Sequence, residues 1–355
     1  MKKSSGIRTL RLTRVTKYLQ NELKACPCGG KMPSIRTIMK ETGAGRLTVA
    51  HALDALRKER MIRIDLRSGI YRIKEAEEDG EIRLIHFQQS ELRLGSFVDV
   101  LFQELVRLAE ADGRSLVVEN AGQRTPEKIA EELSDGNISG CILFGAPQPD
   151  FMRYLKHRLA LCLELLPRHT DRDSVAMRDS PDMTIVQMNY LLKLGYRRIG
   201  CLHYGGKDAY LYPIQMLRLL DYYRIMAENG LKVDPDWVFL CSNRYSNLDA
   251  GMKKMMSSHP RPEALIVTGG ALPFLYAWCR KNHVRIGTDL AVFSADDVNT
   301  DLKPEATTVT NNPKEIAVSF WEMFQKAERG ENVESRFTKL SIRTGLTVPG
   351  KIRPE

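Results

Sequence analysis

At 355 residues, 43% apolar and only 7% aromatic, the chain is long enough for two or three packed globular domains and is too apolar for a disordered tail. No apolar run approaches the ~20 residues needed to cross a bilayer. The N-terminal MKKSSGIRTLRLTR has the charge of a secretion signal without its apolar stretch or cleavage site, so a cytoplasmic protein is expected. The net charge of +9 is not spread evenly: residues 1–74 carry 18 Lys and Arg against 5 Asp and Glu, and the remainder carries 35 against 39. A basic excess gathered into one fifth of a chain is the electrostatic footprint of a polyphosphate partner, because each neutralised phosphate releases condensed counterions. The same charges on an ordinary solvated surface would be dispersed.

In chain order, Ile7 to Lys24 reads as a helix with Leu12, Val15, Leu19 and Leu23 along one stripe. Seven cysteines follow no framework spacing, so reduced thiols are expected. The close pair Cys26 and Cys28 has no second Cys/His pair nearby, so no metal site and no cofactor are expected. Ser34 can cap a short helix that ends at Gly43, with Ile35, Ile38, Met39 and Thr42 on one face and Arg36 and Lys40 on the other. A second helix opens near Gly45 or Arg46. Its Val49, Leu53 and Leu56 turn inward at 3.6-residue spacing, which leaves Arg46, Leu47, Thr48, His51 and Asp54 outward or on the first turn. Ile62, Ile64 and Leu66 then alternate with charged residues, Ser68-Gly69 can turn, and Tyr71 and Ile73 run back as a two-stranded ribbon.

Met32-Pro33-Ser34-Ile35-Arg36, Gly43-Ala44-Gly45-Arg46-Leu47-Thr48-Val49, Ala52-Leu53-Asp54-Ala55-Leu56 and Gly69-Ile70-Tyr71 together resemble the winged helix-turn-helix of the GntR family of bacterial transcription regulators, over roughly residues 7 to 73. The resemblance implies that Arg36 and Arg46 contact operator DNA, that Thr48 holds a phosphate, and that the wing tip Arg67, Ser68 and Gly69 enters the minor groove. With Ser34, Leu47 and His51 these form the expected DNA-facing set. The family often carries a further Arg two residues after the Thr, where this chain has Ala50, so the base sequence read should differ.

Lys74 to Glu81 (KEAEEDGE) is acidic, lacks large apolar residues and reads as a linker over 75–81. Beyond it, strands and helices alternate. Ile82–Phe87, Ser115–Glu119 and Gly140–Phe144 read as strands, with Phe97–Ala111 and Pro126–Leu133 as helices. In a second series Arg198–Leu202, Ala264–Thr268 and Asp289–Ser294 read as strands, with Met183–Lys193, Pro213–Asn229 and Leu272–Asn282 as helices. Such βαβ order specifies α/β units with doubly wound parallel sheets, here in two lobes.

Leu194-Gly195-Tyr196-Arg197-Arg198-Ile199, Arg261-Pro262-Glu263-Ala264-Leu265-Ile266-Val267, Ile286-Gly287-Thr288-Asp289-Leu290-Ala291-Val292-Phe293, Asp296-Asp297 and Ala306-Thr307-Thr308-Val309 resemble the effector domain of the lac repressor/galactose repressor family, from about residue 82 to 348. That domain is periplasmic-binding-protein-like. The resemblance implies chain crossings near 165–170, 294–298 and 323–334, hence lobe 1 at about 82–165 and 298–323 and lobe 2 at about 166–294 and 334–348. Joined to a GntR-type head, the arrangement is similar to arabinose-type repressors. It implies a homodimer on double-stranded operator DNA that responds to a sugar-like effector between the lobes. Arg218 and Asp296 match the family's ligand-binding Arg and hydroxyl-accepting Asp, with Glu164, Phe97 and Ser90 as further candidates. Arg218 and Asp296 would alternatively form an interlobe salt bridge, and Glu164, Phe97 and Ser90 would be structural. Gly269-Gly270 stands where the family usually has Asn-Asp, which removes one hydrogen-bonding group and implies a bulkier or differently oriented ligand.

Catalysis is not expected. Tyr204-Gly205-Gly206-Lys207-Asp208 and Thr268-Gly269-Gly270 lack phosphate-loop spacing, and no nucleophile elbow or zinc pattern occurs. The competing readings are a GntR-type fusion to a cofactor-dependent enzyme-like domain, and an architectural DNA binder without effector.

Overall fold

The computed structural model describes residues 3–27, 29–58, 61–65, 68–73, 80–87, 95–204, 213–241, 245–295 and 301–350. Ser90, Asp296 and Arg67 lie outside them, as does most of the expected linker. The N-terminal module runs α1 (Lys3–Ala25), β1 (Lys31–Met32), α2 (Ile35–Thr42), α3 (Arg46–Lys58), β2 (Ile62–Asp65) and β3 (Gly69–Arg72). α2 begins and ends as its sequence dictates: the Ser34 hydroxyl accepts from Thr37 N–H, and Gly43 closes the helix at φ 64°, a left-handed value that glycine adopts without strain. Val15, Leu19, Ile38, Val49, Leu53, Ile62 and Ile70 share one buried core. Leu12, expected on the same stripe as Val15, is 41% exposed because it lies one turn beyond that core. The ribbon also has three strands rather than two, since Lys31 and Met32 pair antiparallel with Tyr71 and Ile70. Two residues are too few to carry a readable alternation.

Lobe 1 collects β4 (Glu81–His86), α4 (Phe97–Ala111), β5 (Leu116–Asn120), α5 (Pro126–Asp135), β6 (Ile138–Phe144), α6 (Asp150–Leu155), β7 (Cys162–Leu165) and β8 (Ala176–Arg178). Lobe 2 follows with α7 (Met183–Lys193), β9 (Ile199–Tyr204), α8 (Pro213–Glu228), β10 (Val238–Cys241), α9 (Leu248–Ser257), β11 (Ala264–Val267), α10 (Leu272–Lys281), β12 (Ala291–Ala295) and β13 (Thr307–Thr310). The chain then returns to lobe 1 for α11 (Pro313–Glu328) and β14 (Arg336–Phe337), and ends in lobe 2 with β15 (Ser341–Arg343). The strand orders are β14-β8-β7-β6-β4-β5 and β10-β9-β11-β12-β13-β15. All pairings are parallel except that of β15 with β13. Glu81 already belongs to β4, so the expected linker is one residue shorter.

Each sheet is covered on both faces, which explains why β6, β11 and β12 are buried along their whole length. In lobe 1, α4 and α11 cover one face and α5 and α6 the other. In lobe 2, α7 and α8 cover one face and α9 and α10 the other.

The crossings lie at residues 179–182, 311–312 and 338–340, not near 165–170, 294–298 and 323–334. Two strands move the first and last: β8 and β14, three and two residues long, extend the lobe 1 sheet. β13 pairs with β12, so the described segment from residue 301 to the end of β13 stays with lobe 2. The third expected crossing falls on the end of α11, whose Ile316, Phe320 and Phe324 are buried in the lobe 1 core. Phe320→Ala should therefore destabilise the protein by about 3–5 kcal/mol in denaturant unfolding; a loss below about 1 kcal/mol would show that α11 does not hold lobe 1 together.

Candidate functional site

In an open α/β sheet a ligand meets the carboxyl ends of the strands where the strand order reverses. In lobe 2 that reversal falls between β9 and β11. A cavity of about 310 Å³ sits there, lined by Cys201, Leu202 and His203 at the end of β9, Ile266, Val267 and Thr268 at the end of β11, and Ala295 at the end of β12. α7 adds Met183, Thr184 and Gln187, α8 adds Gln215 and Arg218, and Tyr245 and Gly270 complete the wall.

Arg218 is buried, and its guanidinium is held by the first crossing: one Nη donates to Asp179 Oδ2 at 2.8 Å and to the Ser180 carbonyl at 2.9 Å. Asp179 also accepts from Asn311 Nδ2 at 3.0 Å on the second crossing. Ser180 N–H donates to the Thr338 hydroxyl at 3.0 Å on the third. Arg218 on the cavity lining and residues of all three crossings are thus linked by hydrogen bonds.

His203 Nε2 lies 2.7 Å from the Gln215 carbonyl. A carbonyl can only accept, so Nε2 carries the proton and Nδ1 is left as an acceptor. Burial lowers the His203 pKa from its usual value to about 4, so the ring is neutral at pH 7. Gln187 Nε2 donates to the Phe293 carbonyl at 3.0 Å. Burial likewise raises the Cys201 pKa and keeps the thiol protonated. Arg218 is then the one charged side chain among the described lining residues, and Asp179 balances it.

Buried Arg218 Nε, Gln215 Oε1 and Thr268 Oγ1 have no partner among the described residues, and neither does Asn311 Oδ1 beside Asp179. A buried unsatisfied polar atom costs roughly 1–3 kcal/mol, so the three on residues lining this cavity are candidates to meet polar groups of a ligand.

The structure accounts for Gly269-Gly270. A Cβ on Gly270 would lie 2.3 Å from the Tyr245 hydroxyl. The space a side chain would take is filled by Tyr245, whose ring packs on Phe274 at 5.2 Å. At Gly270 the room a side chain would need is thus taken by a polar group delivered from a different segment.

Of the residues expected to hold ligand, Arg218 lines the cavity. Asp296 and Ser90 are outside the described residues, although Ala295, one residue before Asp296, is on the wall. Glu164 is not on the cavity. It is fully buried in β7, accepts from His169 at 2.8 Å and is hydrogen-bonded by the Ser174 hydroxyl, so both oxygens serve the 166–175 connection. Phe97 opens α4 and packs on the lobe 1 core. Sequence reasoning assigns no ligand role to Gln187, His203, Gln215, Tyr245 or Thr268. A lone Tyr in the polar stretch Asn243–Asn247, facing a Gly-Gly pair, was the available signal.

On the N-terminal module, Ser34, Arg36, Arg46, Leu47 and His51 are exposed and Thr48 is half-buried at the first turn of α3. Leu47 is 73% exposed, far more than a side chain with a place in the core would be. The positive end of the α3 dipole adds to Arg46 on this face. Asp54 is paired with Arg57 at 2.7 Å and Lys58 at 3.3 Å, which cancels the acidic charge on the same helix. Ser68 and Gly69 form the hairpin turn and are half-buried.

A model of the periplasmic binding protein-like domain matches residues 188–346. The chain is 20% identical over 175 residues to the HTH-type transcriptional repressor PurR of Aliivibrio salmonicida, a match that covers 48% of this chain and 50% of that protein. The chain thus spans about half the length of the curated relative it matches. Among solved structures, a regulatory protein of the LacI family from Chloroflexus aggregans aligns with a TM-score of 0.64 at 19% identity, over 76% of this chain and 99% of that one. A dimeric Lac repressor with a C-terminal deletion aligns with a TM-score of 0.59 at 16% identity, over 76% and 100%. These likenesses define the class of fold: two parallel α/β lobes of the periplasmic-binding-protein-like kind.

The His203 ring gives a pH test. A histidine whose folded pKa lies below its unfolded value of about 6.5 contributes stability above pH 6.5, and loses it as pH falls toward 4. The wild-type protein should therefore lose roughly 3 kcal/mol more than His203→Gln between pH 6.5 and 4. Parallel pH profiles of unfolding free energy for the two would show His203 to be solvated instead.

Proposed function

We propose that this chain is a sequence-specific DNA-binding transcriptional repressor whose operator affinity is set by a small molecule bound in the lobe 2 cavity. The observation that carries the reading is the placement of the whole basic excess on a small helical module joined to a nearly neutral two-lobed body with a hinge-linked cavity. The likeness to LacI-family regulators and to a curated repressor supports it. A non-catalytic cavity fits the same reading, since the one lining histidine already donates to a backbone carbonyl and the lining thiol is held protonated.

The head is proposed to be a GntR-type winged helix-turn-helix. α2 and α3 would form the helix-turn-helix, Ser34, Arg36, Arg46, Leu47, Thr48 and His51 would face the major groove, and the turn Arg67 to Gly69 would reach the minor groove. Specific recognition by so small a head needs two half-sites, so the working unit is proposed to be a homodimer. The effector is proposed to be a neutral, polyhydroxylated, sugar-like molecule. Arg218 is already balanced by Asp179 and His203 is neutral, so an anion gains little there. Orphaned donors and acceptors beside the Tyr245 ring suit hydroxyls and an apolar sugar face. Asp296 is proposed to accept from it. Binding shifts the DNA equilibrium only by its differential affinity for the two lobe arrangements, and induction is the proposed sign.

Arg46→Ala should weaken duplex binding by about 1–3 kcal/mol in fluorescence anisotropy, with unchanged melting temperature. Undiminished binding would remove α3 from the interface. Arg218→Ala should abolish sugar-induced thermal stabilisation in a screen of sugars and sugar acids while duplex binding persists. A retained stabilisation would move the effector out of this cavity.

A further inference from the structure

The N-terminal module does not stand clear of lobe 1. Arg63 on β2 donates through Nη1 to the Lys156 carbonyl at 3.1 Å, and Lys156 Nζ lies 3.5 Å from Asp65 Oδ2. The Tyr71 and His157 rings are in contact, with centroids 4.0 Å apart. Arg63 and Tyr71 are direct cross-strand partners in the β2–β3 hairpin, so the contacts come from one face of it. They converge on the turn between α6 and β7. The backbone also approaches closely at Gly29, where a Cβ would lie 2.6 Å from Arg158 Cγ. Ser68 in the hairpin turn lines an open cavity of about 1130 Å³ at this junction, together with Lys156 and His157 of lobe 1.

We infer that the turn Lys156–Arg158 of lobe 1 is a docking surface for the hairpin of the chain's own DNA-binding head, and that the docked arrangement holds the hairpin back from a duplex. The inference rests on the reading of the head given under Proposed function. A duplex that received the turn around Ser68 in its minor groove would have to occupy the side on which lobe 1 stands, whereas Arg36, Arg46 and His51 remain exposed. The docked head can therefore present α3 but not the hairpin. Docking is also reversible by construction: it leaves Ser68 Oγ and His157 Nδ1 buried without partners among the described residues, which offsets the ion pair and the ring contact. A lobe 1 that shifts under its hairpin changes what the head can offer to DNA.

The test uses the full chain and a duplex recovered by selection on the wild-type protein, read by fluorescence anisotropy. Lys156→Glu turns attraction to Asp65 into repulsion and, by removing positive charge, weakens any general attraction to DNA. Release of the hairpin should nevertheless tighten duplex binding roughly two- to fivefold. In the opposite direction, the double variant Tyr71→Cys with His157→Cys should lose most duplex binding on oxidation and regain it with dithiothreitol, while wild-type protein under the same oxidant keeps its affinity. Equal or weaker binding by Lys156→Glu, or equal binding by the oxidised and reduced double variant, overturns the docking surface. If the wild-type chain selects no duplex at all, the DNA-binding reading itself falls and takes the docking proposal with it.

Discussion

The Asp179 carboxylate is the joint on which the two-lobed body depends. Its two oxygens are divided between Arg218, which belongs to the cavity, and Asn311, which belongs to the second crossing. Ser180 next to it is tied to Thr338 on the third crossing. A group that entered the cavity and bonded to Arg218 Nε, which has no partner among the described residues, would act on a side chain already bonded to the hinge. How far such a contact would move the hinge depends on how much more tightly the group binds one lobe arrangement than the other.

The two halves of the molecule divide the electrostatic work. The head carries the charge that attracts a polyanion over a Debye length of about 8–10 Å, and the body, with slightly more acidic than basic residues, does not compete for it. Inside the body the opposite strategy holds. Arg218 is compensated, His203 is neutral and Cys201 is protonated, so the proposed effector would be selected by shape and by individually placed donors and acceptors. Tyr245 and Gly270 show how closely shape is set, since any side chain at 270 would displace the tyrosine hydroxyl.

Much of this was legible in the sequence where a local rule and a tertiary role coincide. Ser34 and Gly43 bracket α2 because capping is a property of the adjacent backbone, and Phe97–Ala111 reads as a helix because a four-turn apolar stripe survives any packing. β8 and β14 were not legible: two or three residues show no period, and their pairing depends on partners some 160 positions apart. Those two strands are also what set the crossings. α9 hid because Gly251 interrupts it, yet a Cβ there would lie 2.3 Å from the Phe239 ring, so the glycine serves packing. Glu164 follows three apolar residues and looked like a strand-end ligand. Its buried bonds to His169 and Ser174 depend on how the connection just after β7 folds back over the strand end, which sequence spacing does not contain.

The central claim is that positive charge gathered at one end grips a duplex while the two-lobed body controls that grip. The most direct measurement is the affinity of the full chain for duplex DNA across a salt series, compared with its residues 80–355 alone. The account predicts that the full chain binds with a logarithmic affinity that falls steeply and linearly with the logarithm of salt, and that the body alone does not bind. Salt-independent binding by the full chain, or equal binding by the body alone, would contradict it.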